Sequence, residues 1–458
     1  MAFACSLPGA RASAVEIAVD VGDSVQAAID KAPEGATIIL PPGAFPECIT
    51  ITKPLTLQGA GWENTTLGPD KLMPLTHERK DELIAALGPG MTQKQKEEFS
   101  ALLDIASDQQ HRSTNTQFAM AVAATPTLTV KNTMRVVLRG IKFRGPPIGG
   151  PGGGMIKSLV TIDNAAGVIQ ECAVLGPFMN AVTVQAGSEL KIENSLVAAM
   201  WFTGVDVGPR AKLHMRDSDV RNCHYCGVTL ATDDVTIERC RISGSAWHGV
   251  RYDGCSPKIL SNHIFANARC GIYASGRTSA TVRGNVFWRN EMCAMSCWFD
   301  NVDNVEGNTI VGNLREGIVV LGKSKTNLVR NVFVDNPVGV ACRKIASREE
   351  RSAESPSGDP KVEKSFFFKN LRPMQDGEAE RPLPPGNESV DPKVSDAANS
   401  FKLAADSPAR KANAGAADPI PFASRFAIQP EEKLMIPDSE TRESSKWKKV
   451  ADVETRPH

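Results

Sequence analysis

Short apolar stretches recur along the middle of the chain at a regular spacing. Each repeat contains two or three runs in which apolar residues alternate with other residues, as in Val250-Arg251-Tyr252. No run has the length or the roughly 3.6-residue period of a helix. Aligned on a Gly or Ala that precedes an apolar residue, successive repeats start 22 or 23 residues apart, at Ala181, Gly204, Gly227, Gly249, Gly271, Ala294, Gly317 and Gly339. The pattern predicts short β-strands separated by turns.

Asparagine marks the turns of these repeats in two columns. One column holds Asn262, Asn285, Asn308 and Asn331, and the other holds Asn267, Asn290, Asn313 and Asn336. If equal repeats stack at the strand spacing of about 4.8 Å, each Asn can hydrogen-bond its copies in neighbouring repeats. Leucine-rich repeats have a different leucine spacing, and propeller blades need about 40 residues. The sequence therefore predicts an all-β solenoid, a parallel β-helix.

The N-terminal region predicts a cap for this solenoid. Residues 15–68 contain a helix start at Ser24 and further strand patterns, so we expect a capping helix through Lys31 followed by the first coils. Such a helix would cover the open end of the solenoid, where strand edges are exposed. Residues 1–14 end in Ala-Ser-Ala, the form of a signal-peptidase site, and are interpreted as a possible leader remnant. A secreted or periplasmic location is expected on that basis.

Other segments interrupt or follow the repeats. Residues 69–126 lack the β rhythm and predict a helical insertion, with one helix over 76–87 and another that starts at Thr92. The β-helix coils are expected over 127–345. Residues 346–420 predict polar loops and a closing coil, and residues 421–458 a C-terminal tail or a strap along the solenoid.

Composition narrows the possible partners. The 52 Lys and Arg residues balance 52 Asp and Glu residues, which argues against nucleic-acid binding because that requires a basic surface. No run of about 18 apolar residues indicates a membrane span. The 11 cysteines follow no compact disulfide spacing, and most fall inside the repeats, where cysteine acts as a small apolar side chain.

Scarce aromatic and titratable residues concentrate in a few central repeats. All three tyrosines and four of the seven histidines, including His214 and His263, lie there, together with Trp201, Trp247 and Trp298. The column just before the aligned Gly contains Trp201, His224, Tyr225, Trp247, His248, Arg269 and Glu291, and the outward column two residues after it contains Asp206, Thr229, Arg251, Tyr273 and Ser296. The columns adjoin and predict one ligand-binding patch, because aromatic faces can stack on sugars and Arg pairs with carboxylates. Asp253 and Trp298 are expected to contribute to substrate binding.

Three other groups suggest alternative sites. Cys223 and Cys226 have C-x-x-C spacing, but they lack the thioredoxin-like setting of a redox motif. Cys226, His248, Cys270 and Cys293 share a column and could hold a metal, although interior packing is the favoured interpretation. Asp300, Asp303 and Glu306 could bind calcium, with a solvated turn as the favoured alternative. No metal site or cofactor is therefore assigned, and calcium remains an alternative.

The sequence resembles a known structural superfamily. The segment from Asp23 to Gly61 resembles the first coils of the pectin lyase-like superfamily, and the repeats resemble the right-handed parallel β-helix repeats of bacterial surface and polysaccharide-processing proteins. The segment from Asp391 to Ala409 is similar to the closing motif of many secreted members. The active-site motifs of pectate lyases, pectin methylesterases, mannuronan epimerases and polygalacturonases are absent. The resemblance therefore implies the fold and assigns no catalytic residue.

Three functional hypotheses follow. In the first, the protein is a β-eliminating lyase of a uronate polysaccharide: Arg251 or Arg269 neutralises the carboxylate, His248 or Tyr273 abstracts the C5 proton, and the other of these or Tyr225 protonates the leaving oxygen. In the second, it is a glycoside hydrolase that uses Asp206 and Asp253. In the third, it is a non-catalytic glycan-binding or surface protein.

Overall fold

The described part of the chain is built from short strands that wind into successive coils. The computed structural model describes residues 15–69, 84, 92–106, 126–145, 158–176, 179–345, 356–396, 400–421, 423–430 and 432. Its helices are α1 (Val25–Lys31), α2 (Gln93–Ala106) and α3 (Pro408–Lys411). No described helix is long and apolar enough to span a membrane.

Three sheets form the walls of the solenoid, and their strands are numbered in chain order. Sheet A contains β1 (Glu16–Ala18), β2 (Thr37–Leu40), β5 (Thr56–Gly59), β8 (Val136–Arg139), β11 (Ala166–Gln170), β14 (Glu189–Glu193), β17 (Lys212–Arg216), β20 (Val235–Glu238), β23 (Lys258–Leu260), β26 (Thr281–Arg283), β29 (Asn304–Glu306), β32 (Asn327–Val329) and β35 (Lys361–Glu363). Sheet B contains β3 (Gly43–Phe45), β6 (Thr65–Leu67), β9 (Lys142–Arg144), β12 (Ala173–Leu175), β15 (Leu196–Ala198), β18 (Asp219–Arg221), β21 (Arg241–Ser243), β24 (His263–Phe265), β27 (Val286–Trp288), β30 (Thr309–Val311), β33 (Val332–Val334) and β36 (Phe366–Phe368). Sheet C contains β4 (Ile49–Ile51), β7 (Leu128–Lys131), β10 (Ser158–Asp163), β13 (Asn180–Val184), β16 (Val205–Val207), β19 (Val228–Leu230), β22 (Val250–Asp253), β25 (Ile272–Ser275), β28 (Cys293–Cys297), β31 (Glu316–Leu321), β34 (Val338–Arg343), β37 (Arg372–Asp376) and β38 (Ala379–Glu380).

Each coil contributes one strand to each sheet, so equivalent residues of successive repeats pair in register. Val205 pairs with Val228, which pairs with Val250, and all three are fully buried in one continuous interior core. Neighbouring coils pair in parallel, whereas the final strand pair, β37 and β38, is antiparallel. The predicted repeat and fold are therefore confirmed. The coils continue beyond residue 345, because residues 361–376 add a strand to each sheet.

The two asparagine columns form buried hydrogen-bonded ladders, as predicted. Asn285 Nδ2 donates to Asn308 Oδ1 at 3.0 Å, and Asn262 Nδ2 donates to Asn285 Oδ1 at 3.0 Å. The same amides also satisfy backbone groups, because Asn285 Nδ2 donates to the carbonyl of Ile259 at 2.9 Å. Each ladder thus joins every turn to the coils above and below it.

The predicted capping helix is present as α1. Its N-cap is Ser24, whose Oγ accepts a hydrogen bond from the Ala27 N–H at 3.1 Å. The Glu47 carboxylate also accepts hydrogen bonds from the N–H groups of Val25 and Gln26, which have no partner within the helix because they lie in its first turn. Val25 and Ile29 are buried in the interior core, so the helix contributes to it. Within the predicted insertion α2 is observed, and the predicted helix over 76–87 lies outside the described residues except for residue 84.

The chain after residue 400 runs back along the outside of sheet B. Phe401 packs on Trp288 with ring centroids 5.5 Å apart, and Phe426 packs on Trp62 at 6.0 Å. Arg221 of β18 donates to both carboxylate oxygens of Glu432 at 2.8 Å, with both residues nearly fully buried. We call the described residues from 400 to 432 the C-terminal strap. It covers much of the outer surface of sheet B.

Candidate ligand-binding face

The outer surface of sheet C carries the predicted outward column. Val250 is buried in the core, and the next residue, Arg251, pairs with Thr229 on one side and Tyr273 on the other. Asp206 precedes Thr229 in the same register. Because side chains alternate along a strand, the burial of Val250 directs Arg251 outward.

Aromatic rings stack along the turn that precedes these strands. Phe202 and Tyr225 are parallel, with ring centroids 4.5 Å apart and an interplanar angle of 7°. Tyr225 contacts Trp247 at 5.0 Å, and the Arg269 guanidinium lies 4.2 Å from the Trp247 ring centroid. The coil rise of about 4.8 Å produces this stack, since equivalent positions of adjacent coils then lie at ring-stacking distance.

Phe202 is a member of this stack that the sequence analysis missed. It stands two residues before Gly204, and Tyr225 stands two residues before Gly227. The aligned repeat therefore contained the signal. We use the name aromatic face for the surface formed by Trp201, Phe202, His224, Tyr225, Trp247, Arg251, Arg269 and Tyr273.

Arg251 connects two tyrosines of the aromatic face. Its Nη1 donates a hydrogen bond to the Tyr225 hydroxyl oxygen, and its guanidinium lies 5.8 Å from the Tyr273 ring centroid. Burial raises the pKa of Tyr273, which is half-buried, so this phenol keeps its proton at neutral pH. The two tyrosines thus differ in environment, since the guanidinium contacts the hydroxyl oxygen of Tyr225 and the ring of Tyr273.

The histidines of the predicted patch have different roles in the packing. His224 is exposed and contacts Trp201, with ring centroids 5.4 Å apart. His248 is only 5% exposed, stacks under Tyr273 at 4.8 Å, and accepts a hydrogen bond at Nδ1 from the Cys270 N–H. His248 therefore supports the face from behind. His214 lies outside the face, on sheet A, where it bonds Glu238 at 2.8 Å.

The acidic residues border the aromatic face. Asp206 accepts a hydrogen bond from the Thr229 hydroxyl, and its burial raises the pKa of the carboxyl group. Asp253 is exposed, two residues beyond Arg251 on the same strand, and lies two coils from Asp206. Glu291 is half-buried at the turn position equivalent to Trp201.

Trp298 extends the contacts of the face by one coil. Its ring packs against Tyr273 at 5.9 Å, and its Nε1 donates to Ser296 Oγ at 2.7 Å. Ring contacts therefore connect Phe202 to Trp298 through Tyr225, Trp247, His248 and Tyr273.

The cysteine column is buried among apolar side chains, as its favoured interpretation expected. Cys270 and Cys293 pack with Val319 and Leu321 in a cluster that is separate from the continuous core of the solenoid. The main-chain turn explains this, because consecutive N–H groups at the aligned Gly both donate to the next coil and break the alternation.

The acidic turn formed by Asp300, Asp303 and Glu306 is not the solvated turn that was favoured. Asp303 is fully buried and accepts a hydrogen bond from the Tyr252 hydroxyl at 2.5 Å, whereas Asp300 is exposed and Glu306 pairs with Arg330. The three carboxylates therefore point to different surroundings. Within the described ranges, no group of three or more His, Cys, Asp or Glu side chains has the geometry of a metal site.

The chain is similar to a protein family and to several solved structures. The family described as "Right handed beta helix region" matches residues 158–304. A double mutant of the periplasmic alginate epimerase AlgG is similar in structure, with 12% identity, a TM-score of 0.48, and 81% of this chain and 82% of that chain covered. The catalytic unit of a GH87 α-1,3-glucanase from Streptomyces thermodiastaticus has 15% identity, a TM-score of 0.47, and coverage of 84% and 69%. A complex of XylC with xylose has 10% identity, a TM-score of 0.46, and coverage of 83% and 87%.

No curated protein sequence matches the chain. The family match covers the coils that carry the aromatic face, and the strand order extends the same winding on both sides of it. The chain therefore has the fold of a right-handed parallel β-helix.

Proposed function

We propose that the aromatic face binds an acidic polysaccharide and that the protein is a β-eliminating polysaccharide lyase. The observation that carries the proposal is the position of Arg251 between Tyr225 and Tyr273. A guanidinium in this place can pair with a uronate carboxylate through its remaining N–H groups. The exposed ring of Trp247 and the Arg269 guanidinium stacked on it offer a second contact for sugar and carboxylate.

The chemistry follows from the environments of the two tyrosines. Neutralising the uronate carboxylate makes the C5 proton more acidic, and Tyr225, after releasing its own phenolic proton to solvent, accepts the C5 proton on the oxygen that faces the Arg251 cation. The electron pair of the C5–H bond forms the C4–C5 double bond as the C4–O bond breaks. Tyr273, which retains its proton, donates it to the leaving oxygen. This assignment differs from the sequence hypothesis, in which His248 or Tyr273 was the base, because His248 is buried behind Tyr273 and burial favours the protonated form of Tyr273.

The lyase proposal is tested with a panel of uronate polymers, by following the ultraviolet absorbance of the unsaturated product. Tyr225→Phe should lower kcat by at least about 100-fold, the usual contribution of a general base, while binding persists. Arg251→Ala should weaken binding of acidic glycans far more than binding of neutral ones. Arg283→Ala, an exposed arginine of the neighbouring sheet A, is the matched control and should leave both unchanged.

Two outcomes would replace the lyase proposal. Glycan binding without any product would establish a non-catalytic binding protein. New reducing ends without an unsaturated product would establish a glycoside hydrolase. For a hydrolase, Asp206 and Asp253 are the candidate carboxylates, and they lie two coils apart, about 10 Å along the axis. Because Asp253 also lies two residues, about 7 Å, along its strand from Arg251, which is in register with Asp206, the two Cα atoms are about 12 Å apart, beyond the roughly 5–9.5 Å spacing of glycosidase carboxylates.

A further inference from the structure

Two cysteine thiols meet directly behind the aromatic face. Cys270 and Cys293 occupy equivalent positions in adjacent coils, where the Gly271 N–H donates to the Cys293 carbonyl at 2.9 Å. Their sulfur atoms are 3.2 Å apart, with 3% and 1% of the two residues exposed. The structure holds both as free thiols.

The backbone already has the separation that a disulfide requires. Adjacent strands lie about 4.8 Å apart, inside the range of about 4.4–6.8 Å found between the Cα atoms of disulfides. A small movement of the two sulfur atoms would therefore close the bond.

The surroundings also activate one of the two thiols. The Cys293 thiol donates a hydrogen bond to Cys270 Sγ, and the His248 side chain provides a second one. These contacts lower the pKa of Cys270 and favour its thiolate, and burial raises the pKa of Cys293. Thiol–disulfide exchange needs this difference, because one thiolate attacks first and the second thiol attacks afterwards.

We propose that Cys270 and Cys293 are a redox-active pair that closes to a disulfide behind the aromatic face. The oxidant is a low-molecular-weight disulfide such as oxidised glutathione. The Cys270 thiolate attacks it, forms a mixed disulfide and releases one glutathione thiolate. The Cys293 thiol then loses its proton and attacks Cys270 Sγ, which releases the second glutathione. Two protein thiols are thus oxidised and one glutathione disulfide is reduced to two thiols.

The bond would also regulate the aromatic face, and this consequence rests on the proposed function. The Cys270 anion raises the pKa of Tyr273 through its charge. Oxidation removes that negative charge from beneath a surface proposed to bind an anion. The disulfide form should therefore bind an acidic glycan more tightly, by at least about fivefold, the lower end of ordinary coupling between sites.

The experiment equilibrates the full chain with mixtures of reduced and oxidised glutathione, then alkylates free thiols in denaturant. Trypsin releases Cys270 in peptide 270–277 and Cys293 in peptide 290–315, so mass spectrometry detects the linked pair directly. Because peptide 290–315 also contains Cys297, Cys297→Ser is the matched control and should retain the link, whereas Cys293→Ser should lose it. Alkylation of Cys270 at every glutathione ratio in the wild-type chain, or a link to Cys297, would overturn the proposal.

Binding to a uronate polymer is then compared between the oxidised and reduced forms. Tighter binding by the oxidised form supports the regulatory coupling. A disulfide with equal glycan affinity in both forms would refute the coupling alone. A disulfide with no glycan affinity in either form would refute the proposed function and leave the redox pair standing.

Discussion

Substituting one buried asparagine tests how strongly the ladders hold the coils together. Asn285 is fully buried, and its Oδ1 accepts from the backbone N–H and from the Nδ2 of Asn262 at 2.9 and 3.0 Å. Its own Nδ2 donates to the Ile259 carbonyl and to Asn308 Oδ1. Asn285→Ala therefore removes the side-chain partner of two buried backbone groups, the Asn262 N–H and the Ile259 carbonyl.

The expected cost follows from those two groups. A buried polar group that loses its partner costs about 1–3 kcal/mol, so the pair predicts a loss of about 4 kcal/mol in the free energy of unfolding. The matched control is Asn327→Ala, which removes a ladder contact of 3.0 Å to Asn304 on the exposed side of sheet A. That substitution should cost no more than about 0.5 kcal/mol.

Urea unfolding followed by tryptophan fluorescence measures both variants. The reasoning requires a much lower unfolding midpoint for Asn285→Ala at an unchanged m-value, because only stability should change. If the two variants shift the unfolding midpoint equally, a buried amide of the ladder stabilises the fold no more than an exposed amide contact does. That result would refute the expected cost of about 4 kcal/mol.

Two further predictions concern titration and the aromatic face. Burial, with Arg241 nearby, lowers the pKa of His263 to about 3, so the unfolded chain binds the proton first as pH falls below about 6.5. The free energy of unfolding should therefore fall by about 3 kcal/mol between about pH 7 and pH 4 through this group. Thermal melts at the two pH values should show a smaller loss of stability for His263→Gln than for the wild type. An equal loss in both proteins would contradict the prediction. Arg251→Ala should lower stability by about 1.5–3 kcal/mol, because it removes the charge-assisted hydrogen bond to Tyr225. An unchanged melting temperature would mean that this bond is not formed in solution.

The fold was predictable because its signal repeats. A 22- or 23-residue period with Asn at equivalent turns is visible in the sequence, and the same period places Val205, Val228 and Val250 in one buried column. Each repeat contacts its neighbours in the chain, so local pattern and three-dimensional position agree. The course of the strap depends on contacts such as Arg221 with Glu432, which no repeat encodes.

The candidate site was predictable only where side chains alternate regularly between the inside and the outside of a strand. Arg251 and Tyr273 sit inside regular strands, so their outward direction follows from the buried residues before them. Cys270 and Cys293 precede the aligned Gly or Ala, where two consecutive N–H groups donate to the next coil and the alternation fails. Asp303 was misjudged for another reason, because its partner Tyr252 is 51 residues away in the sequence.

The C-terminal strap changes how this molecule can fold. A solenoid without such a strap can grow coil by coil, since each contact joins residues about one repeat apart. The Arg221–Glu432 pair spans 211 residues and can form only after those residues have been synthesised. In the finished fold the strap buries Leu175, Ala198 and Phe265. Until the strap has been synthesised, these apolar side chains face solvent on the outer surface of sheet B. Residues that are synthesised after the coils therefore seal an apolar surface that would otherwise be prone to aggregate, and loop closure adds a late step to folding.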